Sequence, residues 1–459
     1  MKTKIIIFFI FVQAMVYAQF GPEQIIGTEA ELPVSLMVAD MDGDSFLDIL
    51  CGSRSTNGVT WYKNMDGLGA FGPLQLIIDL PEIYNVHAAD LNGDGYTDVI
   101  VSATSLDRIL WLKNLDGSGS FGTPQIIDNA ADNVNDAIAV DIDGDGDLDI
   151  VAAIDQQSSA AWYENLDGLG NFSARKLISS GLLACRSVFA ADIDNDGDLD
   201  VVANSADMVT ISWFENLDGQ GVFGPQNIVA GQAPYVADVF CADIDGDGDL
   251  DIMGCTNGDN RVAWHENLDG LGTFGPQRVV TNEALQCTSI FCADLDHDGD
   301  MDVLYGSTPS AIVENSEIAW SENLDGLGTF GPKQVIGNTL KLTRAVYAAD
   351  IDGDTDMDVF AASQNNNKVV WYANLTILGV GDNSNSNLRV YPNPSNDKIF
   401  IDSKKESIEG IIVYNVLGKQ LFSKKGNLKE LDISNLQNGM YFLQITTEEG
   451  SFVKKILKN

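Results

Sequence analysis

Nine residues decide the fold: Asp141-Ile142-Asp143-Gly144-Asp145-Gly146-Asp147-Leu148-Asp149. Carboxylates stand at every odd position, and apolar residues stand second and eighth. Carboxylates this close repel one another, and a hard cation resolves the repulsion. Ca²⁺ takes about six to eight oxygens, and an Asp-x-Asp-x-Asp loop wraps its first, third and fifth side chains and a later backbone carbonyl around the ion. The expected side-chain ligands are Asp141, Asp143, Asp145 and Asp149, with Asp147 offering its carbonyl. Gly146 permits the left-handed backbone that keeps the loop tight. Ile142 and Leu148 are placed to anchor it to a core.

The loop occurs seven times, beginning at Asp40, Asp90, Asp141, Asp192, Asp243, Asp294 and Asp350. Spacings of 50, 51, 51, 51, 51 and 56 residues mark a repeat architecture. The remaining expected ligands are Asp40, Asp42, Asp44 and Asp48 in the first copy, and Asp90, Asn92, Asp94 and Asp98 in the second. They continue as Asp192, Asp194, Asp196 and Asp200, then Asp243, Asp245, Asp247 and Asp251. The last two sets are Asp294, Asp296, Asp298 and Asp302, and Asp350, Asp352, Asp354 and Asp358. Up to seven Ca²⁺ ions are expected, one per repeat.

Each repeat carries two further elements. One reads Trp162-Tyr163-Glu164-Asn165-Leu166-Asp167-Gly168 in the third copy, and all seven tryptophans of the protein belong to it. The other is Phe-Gly-Pro or a variant, as at Phe223-Gly224-Pro225. Short β-branched runs lie between these turn signals, and no 3.6-residue period is sustained. The pattern predicts four strands per repeat, two flanking the acidic loop, a third carrying Trp and a fourth after Phe-Gly-Pro. Four-stranded units of this size arranged radially make a β-propeller. The Phe-Gly-Pro element first appears at Phe20, before any acidic loop, while the seventh repeat ends at Leu375 without one. The N-terminal strand Phe20–Gly27 is therefore expected to complete the last blade and leave no open edge. One tryptophan per blade at one position is expected to be packing, and the Asn-Leu-Asp-Gly segments are expected to be hairpin turns.

The charge is unevenly spread. The chain's net charge is −41, yet from Ser386 onward it holds 11 Lys+Arg against 8 Asp+Glu, leaving −44 on the preceding part. Such a surface excludes nucleic acid as a partner. Met1–Ala18 reads as a signal peptide, with Lys2 and Lys4 before an apolar run and Val16-Tyr17-Ala18 at the exit. No later stretch has the length of apolar sequence that a membrane span needs. The six cysteines fall mostly at inner-strand positions and are expected as buried thiols. Cys185 and Cys287 share one repeat position, and no pairing follows from their spacing.

These residues resemble the FG-GAP/VCBS repeats of integrin α-subunit propellers and some fungal lectins, over Phe20 to Leu375. The resemblance implies an all-β chain with a seven-bladed propeller holding Ca²⁺ in hairpin loops. Three positions depart from the pattern: Asn92 replaces an Asp, and Ser45 and Thr355 replace the sixth-position Gly. A polar linker at 376–387 follows the propeller domain at 19–375. Beyond it, Val390-Tyr391-Pro392-Asn393-Pro394, Val413-Tyr414-Asn415-Val416-Leu417-Gly418-Lys419 and the closing Lys454-Lys455-Ile456-Leu457-Lys458 resemble the C-terminal sorting domain of the Por, or type IX, secretion system. That implies a small β-sandwich at 388–459, with the outer-membrane secretion machinery as a partner and the cell surface or medium as destination.

Sevenfold repetition of the acidic loops argues against catalysis, which needs one pair of carboxyls with separated pKa values in one pocket. His87, His265 and His297 occupy unrelated repeat positions. The expectation is a binding or adhesion module for an extracellular glycan or protein, not an enzyme. The alternative is a secreted lyase or hydrolase acting on polysaccharide. A single non-repeating cluster of His, Arg, Tyr and acids at the mouth of the central channel would favour that alternative. Loops between the second and third strands, and between blades, differ in every repeat, so the ligand is expected on that face, with the five-residue insertion within Ser307–Glu317 contributing. Deleting Asn387–Asn459 is expected to leave a folded propeller in the periplasm. Its appearance in the medium, followed by immunoblot, would refute the sorting role.

Overall fold

The computed structural model describes residues 19–376 apart from 56, 232 and 309–314. It also describes residues 388–458 apart from 392–394, 396, 404–407, 416–419, 427–428, 438 and 448–449. The expected signal peptide, almost all of the expected linker and most of the blade-six insertion lie outside the described residues.

Two compact units are present, one ending at Thr376 and one beginning at Ile377. The first consists of seven four-stranded antiparallel sheets. In the first blade, Pro33–Ala39, Asp48–Ser53, Val59–Tyr62 and Gln75–Ile78 follow one another from inside to outside. The seventh blade runs Thr343–Ala349, Asp358–Ser363 and Lys368–Tyr372, and its outer strand is the N-terminal Gln24–Gly27. Gln24 pairs with Trp371 and Ile25 with Val370, and Phe20 bridges Asn374 as Phe71 bridges Asn64 in blade one. The ring closes as the phasing of the Phe-Gly-Pro element requires.

Second strands are buried along their whole length, because each lies between two strands of its own blade and against both neighbouring blades. Their continuous apolar runs follow from that placement. The seven tryptophans are 0–5% exposed, in the role of packing residues. Each turn glycine two residues past Asn-Leu-Asp-Gly rests on the tryptophan of the preceding blade. At Gly119, with φ of +79°, a Cβ would stand 2.5 Å from the Trp61 ring. All six cysteines are buried free thiols.

The turn asparagines do more than the hairpin role expected of them. Asn165 is fully buried. Its backbone N–H donates to Asp149 Oδ1 at 2.7 Å, and its side-chain amide donates to the Leu91 carbonyl of the preceding blade at 2.9 Å. Asn64, Asn114, Asn216, Asn267, Asn323 and Asn374 repeat the arrangement, with Asn64 reaching Ile351 of blade seven. Seven identical bonds therefore run round the ring.

The second unit holds two antiparallel sheets. One is Leu388–Tyr391, Lys398–Ser403 and Glu430–Asp432; the other is Gln420–Lys425, Ile408–Asn415, Gly439–Thr447 and Gly450–Lys458. Ile399, Ile401, Val413, Leu431, Leu443 and Ile456 share one core between them.

Asn165→Ala should lower unfolding stability by about 1–3 kcal/mol, because it strands the buried Leu91 carbonyl. Denaturant titration of this variant against Asn171→Ala, at an exposed turn position, checks it: equal midpoints would deny the asparagine its role.

Candidate functional site

Two constellations stand out, one at each end of the ring. The first is the set of acidic loops. Asp141, Asp143 and Asp149 bring carboxylate oxygens within 4.8 Å of one another, as do Asp192, Asp194 and Asp196 in blade four. Asp243, Asp245 and Asp251, and Asp294, Asp296 and Asp302, do the same. Gly146 N–H donates to Asp141 Oδ2 at 3.0 Å, and Asp147 N–H to Asp145 Oδ1 at 2.9 Å, so the loop folds around its own acids. Ile142 is 1% exposed and anchors the loop, while Leu148 is half-buried. Ser45 and Thr355 adopt φ of 70° and 77°, the left-handed conformation that Gly146 adopts at 94°. Both loops keep their shape, at a cost of about 1 kcal/mol each.

Burial pushes the final carboxyl of these loops up, to about 7 at Asp48, Asp149, Asp200, Asp251 and Asp302 and about 8 at Asp358, against two backbone N–H bonds that pull it down. Buried oxygens of Asp141, Asp143, Asp192, Asp194, Asp245 and Asp356 have no hydrogen-bond donor. Orphaned carboxylate oxygens pointing into one small space fit a cation with a preference for oxygen. The acidic loops can hold metal ions.

The second constellation surrounds the central channel. Inner strands line a cavity of about 520 Å³. Phe189, Phe240, Phe291 and Tyr347 form an aromatic arc, with successive ring centroids 4.9, 5.2 and 4.5 Å apart. Met37, His87 and Ile138 occupy the same repeat position in the other blades. Burial pushes the His87 imidazole down to about 4, so it is neutral at physiological pH and a weak base.

Higher in the channel stand Asp136 and Asp238. Asp136 accepts the Val188 N–H at 3.1 Å. Asp238 accepts the Ile290 N–H at 3.1 Å and the Ser187 hydroxyl at 2.9 Å. Burial raises both carboxyls, Asp136 to about 7. Their bonds staple adjacent inner strands together.

At the mouth the sevenfold pattern breaks. Inner strands of five blades carry a bulge, between Pro33 and Ser35, Ile83 and Asn85, Val134 and Asp136, Val236 and Asp238, and Thr343 and Ala345. A bulge re-aims a side chain, and here the extra residues Tyr84, Asn135 and Arg344 line the cavity. Arg54 and Asn257, just past their second strands, and Arg186 join them. Arg54 lies over the Tyr84 ring at 5.6 Å. Burial lowers the Arg344 pKa, and the neighbouring Arg54 and Arg186 guanidiniums lower it further, with Tyr84 opposing. Among the described residues, none of the three arginines forms an ion pair with a carboxylate. This end of the channel belongs to the variable face, opposite the acidic loops. Arginines and a tyrosine of the expected cluster stand at the mouth, while His87 and the two carboxyls lie deeper in the channel, and the members were not identifiable one by one. The signal available was arginine in the variable loops of a strongly acidic chain.

Comparison with known proteins places the chain. The FG-GAP-like repeat profile matches at 40–101, 90–152, 141–203, 192–254 and 243–305, each copy starting on the first Asp of an acidic loop. Together these cover more than half of the chain. The chain belongs to the FG-GAP-repeat proteins. The secretion system C-terminal sorting domain matches at 389–459, which marks this FG-GAP protein for type IX export to the cell surface or medium and makes the secretion machinery a partner. Among the described residues, no helix is long and apolar enough to cross a membrane.

Over 142 residues the chain is 26% identical to Ulvan lyase NLR42 of Nonlabens ulvanivorans, a match covering 30% of this chain and 24% of that protein. The chain thus spans about a quarter of the length of this relative. The expectation of a non-enzymatic module is overturned by that relative. Its physical weakness was to judge catalysis from the repeated acids, when the non-repeating groups lie at the channel mouth. Two crystal structures of BBS1N in complex with ARL6DN, soaked with lead and with mercury, share the fold. Their TM-scores are 0.53 and 0.54 at 9% and 10% identity, over 78% of this chain and 98% of theirs.

Stripping divalent metal with EDTA should lower the melting temperature, since a ligand bound only by the folded state stabilises by mass action. Differential scanning fluorimetry with and without chelator reads the shift; unchanged melting would deny the loops a metal.

Proposed function

We propose that this secreted FG-GAP propeller is a lyase-type enzyme that binds an anionic polysaccharide at the channel mouth and uses Ca²⁺ to keep its blades in register. The observation that carries this reading is a group of half-buried guanidiniums, Arg54, Arg186 and Arg344, with no carboxylate partner among the described residues, around one opening of a chain with a net charge of −41; Arg344 Nε donates to the neutral Gln364 Oε1 at 2.7 Å. Buried or half-buried cations without carboxylate partners are costly unless an anion completes them. Guanidinium forks suit carboxylate and sulfate groups on a sugar chain. The aromatic arc below offers apolar faces to sugar rings.

Elimination from an acidic sugar needs its carboxylate neutralised and a proton removed from the adjacent carbon; the electron pair forms the C=C bond as the C–O bond one carbon further on breaks, and the leaving oxygen takes a proton. The arginines supply the first requirement electrostatically. Tyr84 at the mouth, and His87, Asp136 and Asp238 deeper in the same channel, are the groups available to take the first proton and to give one to the leaving oxygen. The name of the ulvan lyase relative supports this reaction class. Calcium is supported by all-oxygen donor sets and by the orphaned oxygens of Asp141, Asp143, Asp192 and Asp194. Bound there, the ion cancels loop repulsion and sits away from the mouth.

The test is incubation of the exported chain with ulvan and other uronate polysaccharides, following the ultraviolet absorbance of unsaturated product. Arg186→Ala and Arg344→Ala should each lower kcat/KM by about tenfold or more, the loss expected for one charge-assisted contact. Tyr84→Phe should reduce turnover more than binding. Cleavage untouched by all three variants would remove the channel mouth from the reaction.

A further inference from the structure

The residue two past each tryptophan stands beside the acidic loop of its own blade in blades one to six. It is Lys63 in blade one and Lys113 in blade two, Glu164, Glu215, Glu266 and Glu322 in blades three to six, and Ala373 in blade seven. Lys63 Nζ is bonded to Asp42 and lies 2.8 Å from Asp44 Oδ2. Lys113 Nζ lies 3.0 Å from both Asn92 Oδ1 and Asp94 Oδ2. These are the third- and fifth-position groups that a metal would need. In loop two the Asn92 amide also donates to Asp98 Oδ2 at 2.7 Å, which occupies another expected ligand. Asp40, Asp42 and Asp48 still converge within 4.8 Å and Asp42 Oδ1 has no donor, but the ammonium is already bonded to the other Asp42 oxygen and lies against Asp44.

Blades three to six have the opposite sign at this position. Glu164 and Glu215 bring a further negative charge to the loops of Asp143 and Asp194, where Lys63 brings a positive one to loop one. Basic groups near those loops stay at the rim. Lys176 pairs with Glu164 and lies over Trp162 at 4.1 Å. Arg278 pairs with Glu266 at 2.9 Å, lies over Trp264 at 4.6 Å and stands 3.9 Å from Asp245. Among the described residues no lysine pairs with loop seven, where the His297 imidazole stands 4.0 Å from Asp356.

We propose that Lys63 and Lys113 replace the metal in blades one and two, so that the chain binds Ca²⁺ in blades three to seven only. An ammonium and a divalent cation repel each other and compete for the same oxygens, so one loop holds one or the other. Built-in cations make the first two blades independent of calcium supply, while the other five respond to it. The inference rests on the calcium reading above.

The full exported chain, equilibrated with Ca²⁺ and gel-filtered, is assayed for bound ions by elemental analysis. The expected count is five or fewer per chain, unchanged in Asp44→Ala and lower by one in Asp145→Ala. Six or seven ions, or loss of an ion in Asp44→Ala, overturns the proposal and leaves the calcium reading standing. No bound calcium removes that reading, and the proposal with it. Should Asp44→Ala fail to fold, hydrogen exchange on the wild-type chain decides. Chelator should speed exchange in the loops of blades three to seven and spare residues 40–48 and 90–98; faster exchange in those two loops overturns the proposal.

Discussion

The propeller depends on one buried bond repeated round the ring, from a turn asparagine to the acidic loop of the preceding blade. Asn165 joins three things that would otherwise move apart: its own hairpin turn, the Asp149 carboxylate of its own loop, and the Leu91 carbonyl next door. The side chain is fully buried and its donors are satisfied, so the arrangement is directional where the apolar packing between blades is not. Apolar contact alone would permit blades to slide. Asn64 makes the same bond to Ile351, so the seam where the N-terminal strand completes blade seven is held like the other junctions.

This bond ties electrostatics to architecture. The carbonyl it seeks is the second residue of a loop crowded with carboxylates, so any expansion of that loop pulls on the neighbouring blade. Oxygens of Asp141, Asp143 and Asp245 are buried without donors, and a cation lets such a loop stay compact. Lys63 supplies positive charge from within the chain in blade one. The same backbone loop therefore meets two different solutions to one repulsion.

The opposite end obeys other constraints. There the inner strands need only begin, and bulges at Tyr84 and Arg344 turn single residues into the channel without disturbing the sheet behind them. Repetition at the loop end and variation at the mouth thus come from the same strands. The strong negative charge of the chain sits at the loops, and the half-buried guanidiniums of Arg54, Arg186 and Arg344 gather at the other end.

Much of this was legible in the sequence by itself. The acidic loops, tryptophans and Phe-Gly-Pro segments recur at fixed intervals, and strand order in a blade follows from local period and turn chemistry. Even ring closure was legible, since the Phe20 element is out of phase with the loops and pairs as its phase demands. The C-terminal unit was legible in the same way, from its motifs and its change of charge. Tertiary structure decided what depends on contacts between distant residues. Asn165 looks like an ordinary turn residue until a blade 74 residues away in sequence offers it a carbonyl. Lys113 looks like a surface charge until it lies 3.0 Å from Asp94. Arg54, Arg186 and Arg344 lie in three different blades, and only closing the ring brings their side chains to one opening. Periodicity records what every blade shares, whereas a site used once is assembled from the positions where blades differ.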